Sequence, residues 1–335
     1  MKPATSSDAA HWAARRERGS LALMRLTVWA VRRLGRRPMT PVIYLIVFYF
    51  FVLGREARRS AHDYQAALAE WSGQPGLRPT LRSVFRQFMS FADALLDKLD
   101  VWRGAIGLEQ ITVDDPEGVH RRLAQGRGQL LVGAHLGNLE VCRALADIND
   151  IVSMNVLVHT RHAEQFNQLL AEAGASRMRL IQVSELDPAV MLQLNERLDR
   201  GEWLAIAGDR VPLHGARTTT VNFLGRPARL PQGPWLLAGL LRCPVNLLFC
   251  VKDGGRYRVS LEPFARSISW QRRERDTVVQ QWAQRYADRL AAECLRVPLQ
   301  WFNFYPFWRQ PAAAGRRSQT APAGSRSDPG GADAS

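Results

Sequence analysis

At 335 residues and 46% hydrophobic side chains, the chain is long enough for one large domain or two modest ones with a sizeable core. Its formal charge of +14 calls for an anionic partner, nucleic acid or an anionic membrane surface. No RNA-recognition, zinc-finger or KH signature supports nucleic acid. The four cysteines, Cys142, Cys243, Cys250 and Cys294, form no CxxC pair and have no histidine at ligand spacing beside them, so they imply no metal and read as reduced, mostly buried thiols of a cytosol-facing protein.

Residues 1–17 are polar and are expected to be disordered. Ser20 to Arg33 carries apolar residues at helical spacing with arginines on one side, an amphipathic helix, after which Pro38 and Pro41 interrupt the chain. Basic residues crowd this region (Lys2, Arg15, Arg16, Arg18, Arg25, Arg32, Arg33, Arg36, Arg37), and Arg55, Arg58 and Arg59 follow an uncharged block. Basic residues that bracket apolar sequence favour lipid over DNA. The block itself, Met39 to Gly54, is MTPVIYLIVFYFFVLG. As a helix its roughly 16 residues span about 24 Å, against a hydrocarbon core of ~30 Å. Arginines on both flanks conflict with the charge asymmetry of a single crossing. The reading is a shallow, monotopic insertion, with a true span second and a buried core helix third. The block starts too far from the N-terminus, and lacks the small-residue site, for a cleavable signal peptide.

Gly54–Trp71 and Thr80–Gly104 are predicted as helices, the second with a wide apolar face from Val84 to Leu99. From about residue 107 the pattern changes. Strand-length apolar runs at Leu130–Ala134, Met154–His159, Met178–Val183, Leu204–Ala207 and Val245–Val251 alternate with helical stretches, which predicts an α/β sheet. Asp115-Pro116-Glu117 is a helix start. Tyr257–Leu261 is assigned to an edge strand, Asp276–Leu295 to a helix, and residues 311–335, rich in Gly, Ala, Ser, Pro and Arg, to a disordered tail.

Ligands of an α/β sheet collect at the C-terminal ends of its strands. His135 stands where the Leu130–Ala134 strand ends, Gly137-Asn138 opens a helix, and Glu140 falls in the first turn. A carboxylate there can hold one imidazole nitrogen and leave the other to act as general base on a substrate hydroxyl. The alternative is a capping histidine with a dipole-favouring Glu. The absence of a GxSxG elbow excludes the usual serine hydrolase arrangement.

His135-Leu-Gly-Asn-Leu-Glu140 resembles the H-x4-D/E motif of glycerolipid and lipid A acyltransferases, and its internal Gly-Asn resembles the late acyltransferases of lipid A. A second block is similar as well: Ala207-Gly208-Asp209-Arg210-Val211-Pro212, then Val221-Asn-Phe-Leu-Gly225-Arg-Pro227, then Leu230-Pro231-Gln-Gly233-Pro234-Trp. The likeness covers about residues 20–308. It implies a glycerolipid-acyltransferase-like mixed sheet flanked by helices (105–310), preceded by a helical membrane-associating region (18–104). It also implies transfer of an acyl group from a thioester to a hydroxyl, without metal or redox cofactor. His135 would deprotonate the acceptor and Glu140 would orient His135. The donor would be acyl carrier protein or coenzyme A, the acceptor a membrane lipid or glycolipid, and the location the bacterial inner membrane with the site facing the cytoplasm.

Arg161, on the loop after the Met154–His159 strand, resembles the family's basic residue at that place, for phosphate, sugar or the oxyanion; a solvated loop arginine is the alternative. Asp209 could anchor a loop or an acceptor hydroxyl and Arg210 suits a bidentate contact, unless the two pair with each other. Gly137, Asn138, Gly208, Gly225, Pro227, Gly233 and Pro234 shape loops. His159, His162 and His214 have no partner at useful spacing. The cluster Trp301–Trp308 covers an acyl tunnel, lies at the membrane interface, or straps the core. The Arg-Arg-Leu-Gly-Arg-Arg segment, the YLIVFYFFVL run and the GDRVP variant look like a broader branch tied to unusual lipids such as aryl-polyene or polyketide-derived acyl chains, and transfer to another acceptor, a phospholipid, amino lipid or aryl-polyene-type lipid, is the alternative. A non-catalytic lipid-binding membrane protein on the same fold is the competing class.

Overall fold

The computed structural model describes residues 36–102, 105–119, 126–139, 141–142, 153–158, 178–182, 188–211 and 217–309. The expected amphipathic helix over Ser20–Arg33 and both expected disordered ends lie outside them.

Helix α1 (Arg36–Leu53) takes in both prolines. Pro38 falls in the first turn, where a missing N–H costs nothing; Pro41 lies one turn further in, inside the helix, which continues past it. Gly54 ends α1. A Cβ there would stand 2.6 Å from the Phe50 carbonyl oxygen, so only glycine lets the chain turn by 90° into α2 (Arg55–Ser72). Helix α3 (Leu81–Trp102) opens on a reciprocal cap: the Ser83 amide donates to Thr80 Oγ1 (3.0 Å) and the Thr80 amide to Ser83 Oγ (2.9 Å).

The sheet is built from β1 (Ile111–Asp114), β2 (Leu130–Gly133), β3 (Met154–Val158), β4 (Met178–Gln182), β5 (Trp203–Ala207), β8 (Val245–Asp253) and β9 (Arg256–Ala265), in the order β1-β9-β8-β2-β5-β3-β4. All neighbours run parallel except β8 and β9, which form an antiparallel hairpin. The expected edge strand at Tyr257–Leu261 is therefore the core of the ten-residue β9, and β1 covers it from outside. Strands β6 (Thr218–Phe223) and β7 (Arg226–Pro231) form a separate hairpin. Helices α4 (Pro188–Asp199), α5 (Gly233–Leu241) and α6 (Arg275–Arg296) complete the domain.

Side chains of a strand alternate between faces, and here the alternation separates two cores. Leu130, Val132, Leu204, Ile206, Val245, Leu247, Phe249 and Val251 join one cluster with Trp235, Tyr286 and Trp301. Leu131, Trp203, Leu248 and Cys250 join the other with Val101, Val141, Tyr257 and Val259. Each fully buried large apolar side chain stabilises the fold by about 1.5–3 kcal/mol. Tyr64, Ala67 and Leu68 of α2 belong to the first cluster, so α2 is packed into the α/β core. All four cysteines are free and buried.

Candidate active site

Strands β2 and β5 run side by side with Gly133 opposite Ala207, an offset of 74 residues. His135 and Asp209 each lie two residues beyond those strand ends and keep the same offset. The sheet register thus brings the two side chains together: His135 Nδ1 is 2.8 Å from Asp209 Oδ1, and the His135 amide donates to Asp209 Oδ2 at 2.9 Å.

Asp209 is 1% exposed. Burial alone would raise its pKa. The His135 ring and its hydrogen bond, the nearby Arg210 charge and the His135 amide outweigh burial and hold the carboxyl at about 2. Above that pH Asp209 is ionised and can only accept hydrogen bonds, so His135 Nδ1 must be the donor. The neutral ring then carries its lone pair on Nε2, the form of a general base. Nε2 has no hydrogen-bond partner among the described residues, and the side chain is 36% exposed.

The surroundings hold this pair from several sides. Trp301 Nε1–H donates to Asp209 Oδ2 at 3.0 Å. Tyr286 Oη–H donates to the Gly133 carbonyl at 2.8 Å, two residues before His135. Gly208 is needed because a Cβ there would stand 2.9 Å from both the Tyr286 ring and Val132. Gly137 adopts φ +66°, and a Cβ on it would lie 2.0 Å from the Cys250 carbonyl oxygen. That close approach lets the Asn138 amide bond Cys250 O at 2.7 Å and the Gly137 amide bond Gln300 O at 2.9 Å. The buried Asn138 side chain donates to the Ala94 carbonyl of α3 at 3.1 Å.

The remaining expected site residues fall as follows. Arg210 donates through Nη2 to the Phe302 carbonyl at 2.8 Å, while the Asp209 carboxylate hydrogen-bonds His135 and Trp301. Glu140 and Arg161, with His159, His162 and His214, lie outside the described residues. Gly225 and Leu224, both at positive φ, are the two central residues of the β6–β7 turn. Pro227 pairs with Asn222 within the hairpin, and Gly233-Pro234 forms the first turn of α5. The expected shaping loop is a hairpin and a helix start. No group of three or more metal-ligating side chains exists among the described residues.

Sequence reasoning did not find the His135–Asp209 contact or the part played by Trp301 and Tyr286. The first had a signal, since both residues stand two positions past an apolar strand. The other two carried none.

The family described as bacterial lipid A biosynthesis acyltransferase matches residues 29–310. No curated protein matches the chain.

Proposed function

The chain belongs to the bacterial lipid A biosynthesis acyltransferase family and is an acyltransferase; from that premise we propose that His135, oriented by Asp209, is the base that moves an acyl group from a thioester to a hydroxyl of a membrane lipid or glycolipid. The observation that supports this most directly is the ionised, buried Asp209 on Nδ1 with Nε2 left open.

In this mechanism Nε2 takes the proton of the acceptor hydroxyl as its oxygen attacks the thioester carbonyl. Asp209 stabilises the imidazolium that forms. The tetrahedral oxyanion collapses, the C–S bond breaks, and the leaving thiolate takes the proton back from His135. Oxyanion or phosphate stabilisation falls to Arg210 and, by resemblance, Arg161. Glu140 is the acid of the H-x4-E motif. Because Asp209 already occupies Nδ1, the role proposed for Glu140 is one other than fixing the ring tautomer. The donor is an acyl carrier protein or coenzyme A thioester, and no cofactor is required.

Membrane seating follows from α1. Leu45 is 69% exposed, Phe48 56% and Tyr49 54%, with Phe50, Val52 and Leu53 beside them. Such a contiguous apolar face belongs against lipid. No single described helix is long and apolar enough to cross a bilayer, and α2, past the 90° bend, buries its apolar face in the core. A monotopic seat on the cytoplasmic side of the inner membrane accommodates both observations. Failure to float with anionic liposomes would remove this part of the proposal.

The deciding experiment is lipid mass spectrometry of cells expressing the intact protein or His135→Ala at matched levels. A lipid heavier by one acyl group, present only with the intact protein, identifies acceptor and chain together. The same acylated lipid in both strains would refute His135 as the base.

A further inference from the structure

The geometry assigns Trp301 as a positioning residue for the acyl-transfer pair: its indole N–H fixes the Asp209 carboxylate that orients His135. This rests on the reading of His135 and Asp209 as the catalytic pair.

Three features carry the assignment. Trp301 is fully buried, and its Nε1–H lies 3.0 Å from Asp209 Oδ2, the oxygen that also receives the His135 amide. Two donors therefore hold Oδ2, and Oδ1 is left to the imidazole. A carboxylate pinned at one oxygen cannot rotate about its Cβ–Cγ bond without giving up both donors.

The donor itself is rigid. The indole packs edge-on against Phe223 and Phe307, at centroid distances of 5.3 and 5.0 Å, and tilts against Tyr64 at 4.9 Å. The Trp301 backbone carbonyl accepts from Gln87 Nε2 of α3 at 2.8 Å, and Gln87 Oε1 accepts in turn from Gln65 Nε2 of α2 at 2.8 Å.

The same short segment also clamps His135. The Phe302 amide donates to His135 O at 2.9 Å, the Gly137 amide to Gln300 O at 2.9 Å, and Leu136 and Trp301 form an antiparallel bridge. Gln300 pairs reciprocally with the Lys252 backbone of β8 at 2.7 and 2.9 Å. One strap, residues 300–302, thus sets the base through its backbone and the acid through its side chain. By contrast, the indole nitrogens of Trp235 and Trp308, also shielded from solvent, have no acceptor among the described residues. An N–H aimed at a carboxylate is therefore specific to Trp301 among these three.

The test compares Trp301→Phe with Trp308→Phe, which removes an indole from the same aromatic cluster without removing a hydrogen bond. The first readout needs no substrate: the low-field Nδ1–H resonance of His135 in the full-length, ¹⁵N-histidine-labelled protein in detergent micelles, identified by its loss in His135→Gln. The second is thiol release from palmitoyl-coenzyme A with a total lipid extract of the source bacterium as acceptor. Trp301→Phe is expected to lose the resonance through exchange and to lower kcat roughly ten- to a hundredfold, with KM within about twofold. Trp308→Phe is expected to keep both. Site-specific replacement of Trp301 by benzothienylalanine retains the shape without the N–H; it covers the case in which the phenylalanine variant fails to fold, and should reproduce the same losses.

An unchanged resonance and unchanged kcat in the benzothienyl variant overturns the assignment, as does equal loss in both tryptophan variants. Retained turnover in His135→Gln would instead overturn the catalytic pair itself, a result separable from the first two.

Discussion

Strand β5 carries a buried or half-buried carboxylate at each end, and the two are used in opposite ways. Glu202 precedes the strand, and Asp209 follows it by two residues. Burial works against the charge of both, and hydrogen bonds and cations lower both pKa values. Glu202 closes on itself: Asn155 Nδ2 reaches Oε2 at 2.8 Å, Arg197 the same oxygen at 2.9 Å, and Arg200 reaches Oε1 at 2.9 Å. Every donor there is permanently charged or an amide, so nothing in the network can change protonation near neutral pH. Asp209 instead spends one oxygen on an imidazole, whose far nitrogen is open. A buried carboxylate reads as structure or as chemistry according to whether one of its partners can give and take a proton.

That contrast can be broken by substitution. The largest effect is expected at the working end: His135→Ala and Asp209→Asn should each lower acyl transfer by about 10²- to 10⁴-fold, measured as thioester turnover, with circular dichroism unchanged. At the other end, Glu202→Gln should leave kcat within about twofold while costing roughly 1–3 kcal/mol in denaturant unfolding. Comparable loss of turnover at both ends would dissolve the distinction. Next, Gly137→Ala forces a side chain into the Cys250 carbonyl at positive φ and should destabilise the protein by about 2–4 kcal/mol, seen as a lower Tm.

A subtler effect separates the two carboxylates near His135. Glu140→Gln should lower kcat yet preserve the Nδ1–H tautomer by ¹⁵N spectroscopy, and Asp209→Asn should disturb it. A disturbed tautomer in Glu140→Gln would return the orienting role to Glu140. The smallest effect concerns pH. The Asp209 pKa is depressed on folding, so its contribution to stability is complete above the ordinary aspartate value and is lost as pH falls towards about 2. Between pH 4 and 3, unfolding free energy should therefore drop less in Asp209→Asn than in the intact protein, an effect of order 1 kcal/mol across that window.

Much of this architecture is legible in the sequence wherever one element alone determines the pattern. The apolar runs at 130 and 245 mark strands buried on both faces, where covered residues read as uninterrupted hydrophobics, while those at 154 and 178 mark shorter, partly buried strands towards the β4 edge of the sheet. Helices α2, α3 and α6 are visible from their periodicity. Strand β1 is not: four residues at a sheet edge, with Thr112 and Val113 exposed, leave no period to detect. The β6–β7 hairpin is hidden by its own turn and strand residues. Gly225 and Pro227 suggest a loop, although Thr219, Val221 and Phe223 alternate inward as a strand requires. At the site, His135 and Asp209 are each recognisable at a strand end, but their pairing depends on which strands are neighbours. That is a long-range fact, whereas proximity in sequence offers only Glu140. Trp301 is further still from any local signal, since its use is set by the return of the chain after α6.

The 74-residue offset between His135 and Asp209 is a property of sheet register, not of the chain that lies between them. Insertions in the connections from β3 to β4 or from β4 to α4 would change the number without moving either side chain. The two-residue overhangs, Ala134-His135 and Gly208-Asp209, have no such freedom. One residue added to either would move its functional side chain out of register with its partner across β2 and β5. Natural variation and engineering should therefore find wide tolerance in the long connections and almost none in two dipeptides. Transplanting the chemistry to another parallel sheet would need those dipeptides, a closing strap and the Glu140 and Arg161 positions, but not the length of the connections between them.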